Sequence, residues 1–224
     1  MRVRWQVRGV GWLAWMLVMA VVMAGSVGCN VTEVMGGILY QTAPRTEKVD
    51  AEYTGLEGRK TLVYVWIKPE MQWDYPEMRL DIAAHLSAYL KENIKKIEVI
   101  PAPQVEARIK SLSTMNLDPA DLAHYFHADQ VVHVSIYKFS MRDPGMAQFY
   151  RGRISGSVVV LDLSVKDEPA KRVPLKDVVV AVPEGGPGAH ESQTSADQLR
   201  ELTYREFVLG VGRKFHPWER EKMK

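Results

Sequence analysis

The chain has 224 residues, 46% of them apolar and 25% charged, with one cysteine and a formal net charge of +2. That size supports one good core but not two large domains, and the composition excludes a disordered or collagen-like chain. Residues 1–28 hold three bases (Arg2, Arg4, Arg8) and no acid, so the 29 bases and 27 acids of the whole become 26 and 27 beyond them, a net of −1. A near-neutral domain gives no electrostatic footing for nucleic-acid binding. A single cysteine closes no internal disulfide.

The chain opens with a basic stretch, Arg2 to Arg8, followed by nearly continuous apolar sequence from Trp12 to Ala24, and no charge occurs between Gly9 and Thr32. Small residues then lead into the cysteine, Gly25-Ser-Val-Gly28-Cys29. Basic, apolar and small in that order is the pattern of a secretory leader. The stretch resembles a bacterial lipoprotein signal, in which a small residue precedes a cysteine that is diacylated and becomes the new N-terminus. Gly28 and Cys29 match; Ser26 stands where that family usually has Leu. The resemblance implies removal of 1–28 and attachment of palmitate-type chains at Cys29. Each buried methylene contributes about 0.8 kcal/mol, so two or more chains make a stable anchor. By the family's sorting rule, Asn30 rather than Asp after the cysteine favours the outer over the inner membrane. Two other readings stay open: an uncleaved transmembrane helix over Gly9–Gly28, just long enough to span, and an unmodified thiol behind an ordinary signal peptide. The sequon Asn30-Val-Thr32 carries no weight in a bacterial setting.

Residues 29–58 sustain no period and read as a lipidated tether, with a packed strand or arm near Val49 to Leu56 as the competing reading. Thr61–Ile67 is β-branched and aromatic, hence a strand. Asp74, Pro76 and Glu77 predict a capped helix start, and Met78, Ile82, Leu86, Tyr89 and Leu90 give one apolar stripe to about Asn93. Ile97–Ile100 predicts a second strand, stopped by Pro101 and Pro103. Val105–Leu112 predicts a short amphipathic helix, and Asp118-Pro119 starts another, buried through Leu122, Ala123 and Phe126.

Gln130–Phe139 alternates Val132, Val134 and Ile136 with His133, Ser135 and Tyr137, a strand. Gly152–Val165 and Arg172–Val182 predict two more. Pro183–Thr194 is a loop by composition. Ser195 and Gln198 form a capping box before a helix whose stripe is Tyr204, Phe207, Val208, Val211 and Phe215, ended by Pro217. The alternating first half implies parallel pairing through a right-handed crossover, and the closely spaced later strands imply antiparallel hairpins. The expected fold is α/β (α+β): one domain over 59–216, with helices packed on a single mixed sheet of about five strands. Residues 217–224 are expected to be a frayed tail, ending a stretch from Arg213 that holds five bases and two acids.

This element order resembles a group of bacterial envelope proteins: the curli-secretion lipoprotein, the lipoproteins that activate penicillin-binding proteins, and the amino-terminal domain of the Tol-system translocation protein. Three features carry the resemblance. They are the opening strand Lys60–Ile67, the stretch Leu122-Ala-His-Tyr-Phe-His-Ala-Asp-Gln-Val-Val132, and the following hairpin with Gly156. His127 replaces the group's usual glycine at the helix end, which glycine suits better. The short polar segment between Met141 and Tyr150 has no room for the long spanning hairpins of the curli pore. The resemblance implies a periplasm-facing, non-catalytic binding or regulatory component of an envelope complex for peptidoglycan synthesis, secretion or transport. A ring-forming structural subunit of a secretion assembly is its alternative. The expected partners are the membrane, through the lipid, and an envelope protein.

No residue set supplies a reaction mechanism, and neither a cofactor nor a small-molecule substrate is expected. His124, His127 and His133, with Asp129, are the best metal candidates and define a third reading, a metal-dependent hydrolase; the helix-and-strand spacing supplies no general base. There is no nucleophile elbow and no phosphate-binding loop; Gly185-Gly-Pro-Gly188 lacks the lysine. Glu98 and Glu106 are placed by nothing in the sequence. Trp66 is expected in the core, and Trp73 either in the core or at a partner surface.

Overall fold

The computed structural model describes residues 46–112, 117–142, 149–164, 170–185, 188–190 and 195–221. Residues 1–28, Cys29, Asn30, Val165 and most of the Met141–Tyr150 segment lie outside them. Among the described residues, no helix is long and apolar enough to cross a membrane.

The elements run β1 (Thr46–Val49), β2 (Lys60–Ile67), α1 (Pro69–Asp74), α2 (Met78–Asn93), β3 (Glu98–Val99), α3 (Ala102–Ser111), α4 (Pro119–Phe126), β4 (Gln130–Arg142), β5 (Phe149–Asp162), β6 (Lys171–Val182), β7 (Ala189–His190), α5 (Ala196–Gly212) and β8 (Trp218–Glu221). The main sheet has the order β3-β2-β4-β5-β6, with β7 pairing β5 beside this path. β2 pairs β3 and β4 in parallel, whereas β4–β5 and β5–β6 are antiparallel. The mixed five-strand sheet follows from the spacing of the elements: a helix between strands brings the chain back to the same end, and a short connection reverses it.

The central strands are apolar on both sides because both faces carry helices. On one face α2 sends in Ile82, Leu86 and Leu90, and α5 sends in Tyr204, Phe207 and Val211; these meet Val63, Val65, Val132, Val134 and Val160. On the other face α3 and α4 contribute Val105, Leu122 and Ala123, which meet Leu62, Val131 and Leu161. The helix stripes read from periodicity are all on the buried side, and the Ser195–Gln198 capping box is formed in both directions, at 3.1 and 3.3 Å. Gly156 in β5 has no room for a side chain: a Cβ there would stand 2.9 Å from the Phe207 ring and 2.9 Å from the Ser135 carbonyl.

The His127-Ala-Asp129 stretch has a structural role. His127 ends α4 in the left-handed region, at φ 51° and ψ 47°. That turn lets Asp129 accept the Lys60 amide at 2.8 Å while its own amide donates to the Lys60 carbonyl at 2.8 Å. The Lys60 ammonium donates to the Phe126 carbonyl at 2.9 Å. The starts of β2 and β4 are thereby locked in register, Thr61 opposite Gln130.

Several expectations are corrected. Asp74 does not cap α2 but ends α1: Pro69, with its fixed φ, occupies the first turn of an additional short helix, and the Tyr75 amide closes it on the Met71 carbonyl. Glu77 takes the N-cap place of α2 and makes no side-chain cap bond. α3 begins at Ala102 behind Pro101, and α5 stops at Gly212, ahead of Pro217. The Pro183–Thr194 loop contains the two-residue strand β7.

The tether boundary also moves, because one compact unit runs from Lys48 to Glu219. Leu56 is buried, Tyr53 packs edge-on against Phe215 at 6.4 Å, and Glu52 receives the Lys214 ammonium at 3.0 Å. These partners lie some 160 residues away in sequence, so no local period announces them. The tail contains β8, which pairs with β1 as a separate two-stranded sheet.

Candidate functional site: an aromatic groove on the half-covered sheet face

Among the described residues, α3 and α4 cover their face of the sheet only in part. Along β4 the burial weakens from the fully buried Val131 and Val132 to the exposed Tyr137 and Lys138. Side chains alternate across a strand, so Tyr64 and Trp66 share this face on β2. The parallel register sets His133 beside Tyr64 and Ser135 beside Trp66. These four floor a groove of two adjoining lobes.

The aromatic lobe, about 520 Å³, is walled by Trp66, Trp73, Pro69 and Pro76 on one side and Ile109 and Lys110 of α3 on the other. Trp73 projects from α1 with 86% of its surface exposed. Trp66 is half-buried, which corrects its expected place inside the core: it packs against the edge of the Leu62, Val105 and Leu122 cluster and leaves its other side to the lobe. Arg79 lines this lobe and forms a two-bond fork with Glu106 of α3, at 2.7 and 2.8 Å. The paired side chains are 14% and 10% exposed. Burial pushes the Glu106 carboxyl up, but the Arg79 hydrogen bonds and charge, helped by Lys110, more than offset this and hold it below its ordinary value. Glu106 is thus a carboxylate that positions Arg79 and ties α2 to α3; Glu98 is exposed at the sheet edge.

The polar lobe, about 440 Å³, shares Tyr64, Trp66 and Leu117 with the first and adds Asp118, His133, Ser135 and Arg172. Asp118 caps α4, accepting the Ala120 amide at 2.9 Å. The His133 ring lies 5.2 Å from that of Tyr64, and its Nε2 is 3.1 Å from the Ser135 hydroxyl. Burial, and then the Arg172 charge, lower the His133 pKa to about 4, so the imidazole is neutral at physiological pH. Nucleophilic catalysis needs a third group to orient the imidazole. Among the described residues, the Ser135 contact is the ring's one hydrogen bond. Arg172 enters no ion pair among the described residues and lines this lobe from the exposed start of β6.

The other histidines are elsewhere. His124 and His127 are exposed on and beside the end of α4, and no group of three His, Cys, Asp or Glu comes within metal-binding reach among the described residues. The reading of His124, His127 and His133 as one metal set is therefore corrected: His133 faces the groove, and the other two face solvent. The sequence reading passed over Arg79, Glu106, Ser135 and Arg172 as site residues. One signal was available, since Glu106 falls on the buried face of α3 beside Ala102 and Val105, where a carboxylate requires a partner.

Neither a protein-family model nor a curated protein matches the chain. Solved structures similar to it include the PelC dodecamer from Paraburkholderia phytofirmans, at 9% identity and TM-score 0.40 over 75% of this chain and 96% of that one. Lipoprotein GNA1162 from Neisseria meningitidis is similar at 16% identity and TM-score 0.41, over 64% and 91%. The hypothetical protein CT253 from Chlamydia trachomatis is similar at 15% identity and TM-score 0.39, over 69% and 91%. Likeness at this level assigns neither a function nor a partner to the chain.

Proposed function

We propose that this chain is a lipid-anchored binding protein of the bacterial envelope. It is exported by residues 1–28, held through Cys29, faces the periplasm from the outer membrane, and serves as a non-catalytic component of a larger complex. The groove supports the binding role: it is an open, aromatic-floored concavity with a few convergent polar groups, the usual form of a recognition site. Trp and Arg, which dominate binding energy at protein surfaces, are both presented there. The anchor is supported by the basic, apolar and small-residue leader that ends at the chain's one cysteine.

Intact mass of the protein extracted from membranes, wild type beside Cys29→Ser, tests the anchor. The expected mass is that of residues 29–224 plus acyl chains, with the acyl increment lost in the variant. An unmodified mass that still includes residues 1–28 would replace the lipid by a transmembrane anchor.

A ring-forming subunit is a second reading. β6 supports it, as a 12-residue edge strand whose outer side is paired to no other strand among the described residues. A discrete large assembly in detergent would favour it; a monomer would reject it.

A further inference from the structure

We infer that the groove is a peptide site: it takes an extended segment of a partner protein with an aromatic or aliphatic residue in the Trp66–Trp73 lobe and a carboxylate at the Arg172 end. This deepens the binding reading above and rests on it. The two lobes differ in chemistry. The first is mainly apolar, with two tryptophans and two prolines as stiff walls. An exposed tryptophan, 86% accessible, over a concave apolar surface gives up water readily when a second apolar side chain arrives.

The second lobe carries the orientation signal. Arg172 has no acidic partner among the described residues. Asp118, the one acid lining that lobe, already accepts the first-turn amide of α4. Arg79, the other guanidinium in the groove, is held by Glu106 and is not available for a second fork. Of the three bases that line the two lobes, Arg79 and Lys110 face the Glu106 carboxylate, so Arg172 is where an incoming carboxylate meets complementary charge. The exposed acids near Trp73, namely Glu70, Asp74 and Glu77, lie outside the lining and disfavour a uniformly acidic ligand. They leave the carboxylate a single favourable end. Ser135 and the neutral imidazole of His133 lie between the two ends and can bond a peptide backbone.

A glycan would stack on the tryptophans, but two Arg79 N–H groups are spent on Glu106, and the other polar lining of this lobe is Gln72 and Lys110 at its rim, fewer donors than a ring of sugar hydroxyls calls for. An acyl chain would need an apolar tunnel along its whole length, whereas the second lobe is lined by Asp118, His133, Ser135 and Arg172. A peptide meets both conditions with one buried anchor and one exposed charge.

The test is selection of a random 12-residue phage-displayed peptide library on the full chain, followed by fluorescence-polarisation titration of the recovered peptides. Wild type is compared with Trp73→Ala and Arg172→Glu. Both positions are solvent-exposed, so the variants fold, and circular dichroism checks it. Recovered peptides should share an apolar anchor and a nearby acid. Trp73→Ala should weaken them about tenfold or more. Arg172→Glu should weaken them similarly, and only while the peptide's acid is present rather than its amide.

Recovery of no binding peptide, or of peptides that bind both variants as well as wild type, overturns the proposal. So does groove-dependent binding of chitooligosaccharides or of anionic phospholipid vesicles in place of peptides. None of these outcomes touches the acyl mass on Cys29, so the anchor and the peptide site can fail separately.

Discussion

Glu106→Gln removes one charge from the fork that ties α2 to α3 under the groove. In the folded protein Glu106 accepts two bonds from Arg79, at 2.7 and 2.8 Å, with both side chains mostly out of solvent. Breaking a fully buried pair from one side costs about 3–5 kcal/mol, because the remaining charge has no partner. Here the side chains keep 14% and 10% of their exposure, so water screens part of the loss, and about 2–3 kcal/mol is expected. Lys110 sits 3.6 Å from Glu106 but is 71% exposed and adds little.

For a domain of this size the loss corresponds to a melting temperature lower by roughly 5–10 °C. Urea unfolding at pH 7 measures it directly through the midpoint. Because Glu106 titrates below its ordinary value of 4.5 when folded, its advantage over Gln is complete above that pH and is lost as pH falls through the lowered value. The double variant Arg79→Met, Glu106→Leu replaces the pair by apolar contacts and should recover to within about 1 kcal/mol of wild type. A Glu106→Gln loss under about 0.5 kcal/mol, or a double variant as damaged as the single, would refute the account of a buried charge held by its partner.

Two further outcomes follow from the core and the groove floor. Gly156→Ala should destabilise by about 1–3 kcal/mol in the same urea experiment, since the Phe207 ring can shift but the Ser135 carbonyl belongs to β4; an unchanged midpoint would mean that the strand yields. His133, neutral when folded with a pKa of about 4, takes up a proton more readily unfolded, where its ordinary value is 6.5. Its contribution is therefore complete above pH 6.5 and falls away as pH drops from there toward 4. His133→Gln should flatten that part of the stability–pH curve by roughly 3 kcal/mol, and parallel curves for the two proteins would remove the desolvated imidazole from the groove.

The groove was only partly legible in the sequence. Trp73 stood out as either core or partner surface, and the structure exposes it on α1, a helix that the reading of Asp74 as a cap had hidden. The alternation puts His133 on the opposite side of β4 from Val132 and Val134, and it is half-buried there. What made it part of a site is its register beside Tyr64, which depends on a parallel pairing between strands separated by some 70 residues. Arg172 looked like any charged residue at a strand start, and nothing local marks a cation that faces a cavity on another strand's side.

Local chemistry determined the elements. The stripes of α2 and α5, the Ser195–Gln198 box, the Asp118 cap, the β-branched strands and the sense of their pairing all follow from side-chain periods, fixed proline angles and connection lengths, which act over a few residues. The leader and Cys29 are equally local signals. Tertiary structure alone decided which face the helices leave open, and so which alternating side chains became floor instead of core. It also decided that Glu52, Tyr53 and Leu56 belong to the folded unit, because their partners Lys214 and Phe215 come from the far end of the chain. Burial is a property of what covers a residue, and the covering element is set by long-range packing that no short window of sequence contains.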